Sequence, residues 1–157
     1  MLGRTYDTQV CSAARALEVI GERWSLLIVR DALFAGATRF ADFQRLGIAT
    51  NVLAKRLDSL VDSGILERRS SAEHPDRAGY VVTQKGLDLA PVIIALTQWG
   101  DRWAAPDGPP ILYRHTGCGG AIAEQTTCDN CGQVADLAGI HVVHGPGMPG
   151  SLSEGMV

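Results

Sequence analysis

Between residues 10 and 103 the chain alternates apolar-periodic runs with short polar breaks, and the spacing inside each run predicts an element. Cys11 to Ile20 reads as an amphipathic helix, with Ala14, Leu17 and Val19 or Ile20 on one side and Gly21 as its stop. Trp24 to Leu33 is apolar almost throughout, the pattern of a largely buried second helix. After Gly36, Arg39 to Leu46 spaces Phe40, Phe43 and Leu46 as a short third helix. From Asn51 to Ser63 the period is strong, with Leu53, Leu57, Leu60 and Val61 inward and Gly64 as the cap that tolerates positive φ.

The period then changes. Ile65 to Arg69 and Tyr80 to Thr83 are β-suited runs on either side of the polar loop SSAEHPDRAG, which predicts a hairpin with a long tip. Gly86 to Trp103 predicts one long apolar helix carrying Leu89, Ile93, Leu96, Trp99 and Trp103. Helix, short helix, turn, helix, then a two-stranded hairpin is the order of a winged helix-turn-helix, whose second helix enters the DNA major groove. The other reading of the same order is a small α+β packing unit with no partner.

Length and composition fit this picture. The 157 residues suit one compact domain and a small appendage, and 46% hydrophobic with 20% charged residues is the balance of a soluble globular protein. No apolar run reaches the ~20 residues of a membrane helix. MLGRTYDTQVCS lacks the apolar core of a signal peptide, so the expected compartment is the cytoplasm. The net charge of −3 is unevenly spread: residues 1–103 carry 13 Lys/Arg against 12 Asp/Glu, and residues 104–157 carry Arg114 against five acids. The acidity belongs to the C-terminal part, which leaves the first part free to present a basic face.

AAPDGPPIL, residues 104–112, is a Pro/Gly linker that cannot continue a helix. Beyond it, His115-x-x-Cys118-Gly119 and Cys128-x-x-Cys131-Gly132 repeat one pattern. Two such turns joined by a hairpin supply four N/S ligands, the donor set of a structural zinc ribbon, and iron suits the same ligand types. A Cys128–Cys131 redox pair and a chance cluster are the competing readings. Four protein ligands leave no open position for catalysis, so the expected role of the zinc is to staple a segment too small and Gly-rich to bury a core. His141 and His144 read as strand or tail residues. The end, GPGMPGSLSEGMV, reads as a flexible tail.

CSAARALEVIGERW, RFADFQRLGIATNVLAKRLDSLVDSGILERR, GYVVTQKG and ALTQWGDRW resemble, in order and spacing, the HxlR-type winged-helix transcriptional regulators over about residues 9–103. The resemblance implies a homodimeric, sequence-specific DNA-binding repressor or activator that dimerises through its terminal helices. It implies an interface role for Trp99 and Trp103, which lie four apart on one helix face; packing into the monomer's own core is the other reading. It also places Cys11 where some members carry a redox-sensing cysteine, although a free cysteine is most often a small apolar residue. The chain departs from the pattern at Ser12, where the family often has proline. At Ala49, where the family often has serine, Thr50 or Asn51 must supply the oxygen that caps the recognition helix.

The inward stripe leaves Asn51, Ala54, Lys55, Asp58 and Asp62 facing out, and the two acids would be repelled from phosphates. The N-terminal half is therefore the reading end, with Asn51 suited to adenine and Lys55 to a guanine edge or a phosphate. Arg56 lies on the flank toward the backbone. Arg39 is placed to anchor a phosphate, and Arg77 is the expected wing contact, ahead of His74. Arg68 and Arg69 point to opposite faces of one strand.

The expected organisation is thus α+β: a winged helix-turn-helix domain over 1–103 with N- and C-terminal dimerisation helices, a linker over 104–112, a zinc-ribbon-like segment over 113–144 and a flexible tail over 145–157. Double-stranded DNA and a second copy are the expected partners, with a small-molecule effector left open. A thiol or metal redox protein, or a winged module that docks protein without specific DNA binding, are the alternatives. No Ser/His/Asp set, phosphate loop or open metal site points to an enzyme.

Overall fold

The computed structural model describes residues 5–71 and 74–148; the side chains of residues 71 and 74–77 fall outside the described set, as does the expected tail beyond Met148. Four helices come first: α1 (Ser12–Ile20), α2 (Ser25–Phe34), α3 (Phe40–Gln44) and α4 (Thr50–Asp62). An antiparallel hairpin of β1 (Leu66–Ser71) and β2 (His74–Val82) follows, then α5 (Gln84–Leu87) and α6 (Ala90–Trp103). The C-terminal part holds only β3 (Thr127–Cys128), β4 (Gly132–Gln133) and a 3-10 turn at Leu137–Gly139 among its described residues. Among the described residues no helix is long and apolar enough to cross a membrane.

One core joins these elements. Ile28 and Val29 of α2, Phe43 of α3, Leu53, Leu57 and Leu60 of α4, Ile65 before β1, Leu66 of β1 and Ile93 of α6 pack together. The three leucines of α4 are the inward stripe read from the sequence. That helix ends in a Schellman motif: Gly64 sits at φ 72°, its N–H donates to Val61 O and the Ile65 N–H donates to Leu60 O. The turn aims the chain straight into β1.

Three expectations are corrected. The polar segment between the strands is mostly strand: Arg69 pairs with Gly79 and, after a bulge, Ser71 pairs with His74. Backbone pairing alone carries the ladder on through residues that have no apolar alternation. The predicted long helix is two, because Pro91 at the start of α6 has no N–H for the preceding turn and its ring disfavours continuity with it. Thr83 caps the short α5, accepting from the Gly86 N–H and donating to Gly64 O. Finally, Leu17, expected on the inward side of α1, is exposed, and Ala14 is the buried residue of that helix.

The wing is tied to the helix-turn-helix by backbone and ring contacts. Tyr80 N–H donates to Thr38 O at 2.7 Å, and the Tyr80 ring meets Phe43 edge-on at 6.0 Å. Adding a Cβ at Gly79 would bring it within 3.1 Å of Thr38 O, so glycine permits this approach.

Candidate nucleic-acid interface

α4 starts at Thr50 with Ala49 at its N-cap and no side-chain cap from that residue. The Ala49 carbonyl accepts from Val52 and Leu53, and Asn51 Oδ1 takes the Val52 N–H at 2.9 Å. Of the two residues expected to stand in for the missing serine, Asn51 accepts a first-turn amide, the same one that the Ala49 carbonyl takes. Thr50, Asn51 and Lys55 are all exposed, and with Ala54 they make the N-terminal outward face of the helix.

The acids on the same face behave differently. Asp58 is paired with Arg68 of β1, and Arg68 lies over the Tyr80 ring at 5.9 Å. Tyr80 first, then Asp58, raises the pKa of Arg68 above its ordinary value. A carboxylate that would repel DNA is therefore screened by a wing residue. Arg69 turns the other way and pairs with Glu67, its neighbour on the same strand face.

Arg56 is placed otherwise than the flank position suggests. Its side chain is only 14% exposed and binds Glu22 at 2.8 Å, linking α4 to the turn between α1 and α2. Arg39 is half-buried, with its guanidinium beside Gly79 of the wing. The helix it precedes is started by Asp42, whose Oδ2 accepts from Arg39 N and Thr38 N. Those two amides, Arg39 first, hold the Asp42 carboxyl below its usual range. Arg77 and His74 lie on β2, but their side chains are outside the described residues.

Away from this face, α6 presents Val92, Leu96, Trp99 and Trp103 to solvent, with Trp99 62% and Trp103 70% exposed. Their spacing of four, three and four residues makes one stripe. The inward side of α6 is carried by Ile93 and Ile94, so the tryptophans are not part of the monomer's core. Cys11 is exposed at the N-cap of α1, in an open cleft that residues 145–148 help to line. The Ala14 amide first, then the Ala13 amide, lowers its thiol pKa; slight desolvation opposes this, and Arg15 adds a smaller pull.

The His/Cys segment forms two hairpin tips. At the first, Arg114 bridges Ala121, His115 N–H donates to Gly120 O, and His115 Nδ1 lies 3.4 Å from Cys118 Sγ. At the second, Cys128 pairs with Gly132 across β3 and β4, and the Cys131 and Asn130 amides, with the Cys131 thiol, lower the pKa of the Cys128 thiol. Gly119 and Gly132, each directly after the second donor, sit at φ 71° and 86°, which only glycine adopts cheaply. The four donors have the chemistry zinc prefers. Among the described residues, however, no three His, Cys, Asp or Glu side chains are gathered to hold a metal, so the tips stand as two half-sites. His141 and His144 lie in irregular, exposed chain and not in a strand.

Two long-range partners had no sequence signal. Glu22 meets Arg56 across the fold. Tyr113 docks the first hairpin, with its ring 4.8 Å from Phe34 and its hydroxyl 3.3 Å from Thr97 Oγ1. Neither pairing has a periodicity or a motif, because each joins elements far apart in the chain.

Comparison with known proteins fits this architecture. Residues 19–108 match the HxlR-like helix-turn-helix family. An uncharacterized HTH-type transcriptional regulator of Mycobacterium tuberculosis is 40% identical over 145 residues, 91% of each chain. The crystal structure of PA1607, a protein proposed as a transcription factor, superposes with a TM-score of 0.78 at 36% identity, over 89% of this chain and 99% of its own. The reduced form of the redox regulator HypR superposes at 0.53 with 26% identity, over 59% of this chain and 92% of its own. The first two matches are too long to be confined to the winged part and run on into the His/Cys segment, whereas the HypR match is of the winged part's size. With a helix-turn-helix braced by a wing and a family match through the whole of it, this chain belongs to the HxlR-like helix-turn-helix family of winged-helix transcriptional regulators.

Proposed function

We propose that the chain is a homodimeric, sequence-specific DNA-binding regulator that reads the major groove with the N-terminal half of α4. The observation that carries this is the outward face of that helix, where Thr50, Asn51 and Lys55 are exposed and Asp58 is paired with Arg68. Asn51 suits adenine, and Lys55 reaches a guanine edge or a phosphate. Arg39 and the wing residue Arg77 bear on the backbone and set the register. Arg56 serves this reading indirectly, by holding α4 to Glu22.

Dimerisation follows from the stripe Val92, Leu96, Trp99 and Trp103, an apolar patch that a water-exposed monomer has no use for. Two-fold symmetry then presents two α4 helices to half-sites about one helical turn apart, or a multiple of that. The alternative of a winged module without specific DNA binding makes no use of the screened Asp58. The cytoplasmic compartment expected from the sequence goes with the DNA-binding reading, and nothing in it calls for catalysis.

Affinity for a duplex from the chain's own upstream region, measured at several salt concentrations, tests the docking face. Lys55→Ala is expected to weaken specific binding by ~1–3 kcal/mol, and Arg77→Ala to reduce the salt slope by about one. Unchanged behaviour in both variants at matched salt would remove the face.

A redox input at Cys11 is favoured by one observation, its exposed thiol beside helix amides that lower its pKa. The likeness to the redox regulator HypR agrees with it. Alkylation of Cys11 is expected to change DNA affinity; unaltered affinity would leave it a small residue at a helix start.

A further inference from the structure

We propose that the two hairpin tips at His115–Cys118 and Cys128–Cys131 close on a single zinc ion, held by three thiolates and one imidazole, and so lock the C-terminal segment onto the helix that carries the exposed tryptophans. This stands apart from the DNA-binding reading, since it concerns a different part of the chain and would hold without it.

Both halves are already built for a metal. Each tip is a short antiparallel turn with its two donors three residues apart and a positive-φ glycine directly after the second. In the first, the His115 ring nitrogen and the Cys118 sulfur lie 3.4 Å apart on the same side of the turn, close to the separation of two ligands on one tetrahedral ion. The turn leaves little room for anything larger: a Cβ at Gly117 would come within 3.2 Å of the His115 ring, and one at Gly120 within 3.4 Å of the Cys118 sulfur. In the second, Cys128 pairs with Gly132 across the hairpin, and Cys131 stands in the turn between them.

All four cysteines are free, and no disulfide satisfies the second tip. The segment between Ala104 and Met148 contributes no residue to the main core. A chain segment this long with no core of its own needs a staple to hold one conformation. Closure brings the second hairpin to the first. The first is already fixed: Tyr113 packs on Phe34 of α2 and reaches Thr97 of α6, and Glu124 N–H donates to Gln98 Oε1. A metal that captures Cys128 and Cys131 would therefore fix the whole segment on α2 and α6.

Cobalt(II) titration of the reduced, metal-free full-length chain tests this, with zinc as competitor and thiols counted in parallel. One cobalt per chain, the intense ligand-field absorption of a tetrahedral thiolate site, and displacement by one equivalent of zinc are expected. Three thiols should become protected, leaving Cys11 reactive. His115→Cys should keep stoichiometric binding, whereas His115→Ala and Cys128→Ser should lose it with the helical circular dichroism of the winged part unchanged. No binding, one metal shared by two chains, or protection of only two thiols would overturn the proposal. Loss of binding in Cys11→Ser would also overturn it. The thiol count on the unaltered chain decides the matter even if a variant misfolds.

Discussion

Gly86 packs so tightly that a single methyl group would be felt. A Cβ there would overlap Ile65 O and come within 2.6 Å of Val82 Cγ1, so α5 can lie on the root of the wing only without a side chain. Gly86→Ala is expected to destabilise the winged part by ~1–3 kcal/mol, the usual cost of overpacking, and thermal unfolding would read it. Asp42 gives a pH-dependent counterpart. Its carboxyl, held below the usual range by the Arg39 and Thr38 amides, contributes stability above its unfolded-state pKa and loses it as pH falls through the lower folded-state value. Asp42→Asn should therefore flatten the acid side of the stability profile, which acid titration followed by circular dichroism checks; an unchanged profile would contradict this. Single residues are legible in the sequence where a local rule applies. The inward leucines of α4 and the exposed Lys55 follow from period alone. Arg56 does not, because its partner, Glu22, comes from another element, and helical phase describes a side chain's direction but not what stands opposite it.

Among elements, type and order are readable while extents are not. The hairpin is visible from its apolar ends, but its polar middle continues as strand because a ribbon needs only backbone pairing. Apolar period alone joins Gly86 to Trp103 in one helix, although Pro91 carries the signal for a break. The tryptophans are ambiguous from sequence, since a helix face shows no partner. In the fold they lie opposite Ile93 and Ile94 and face solvent. Trp99→Ala with Trp103→Ala should convert a dimer to a monomer in sedimentation while leaving the monomer's helicity intact. Such a monomer should bind a single half-site weakly. A variant that still sediments as a dimer would place the interface elsewhere.

For the molecule as a whole, the winged part carries the core and the C-terminal segment rests on it through Tyr113 and Gln98. The motif of the two tips is legible because donor spacing is local, whereas their separation and the docking of the first on α2 and α6 are not. Above all, the exposed face of α4, doubled by a two-fold axis, is read as the surface that recognises a DNA sequence. The decisive comparison is the affinity of the full chain for a duplex from its own upstream region against that for a scrambled duplex of equal length and composition, at the same physiological salt. Two chains per duplex and a preference of at least ~10³-fold are expected. Equal affinity for both duplexes, or binding that does not weaken as salt rises, would contradict it.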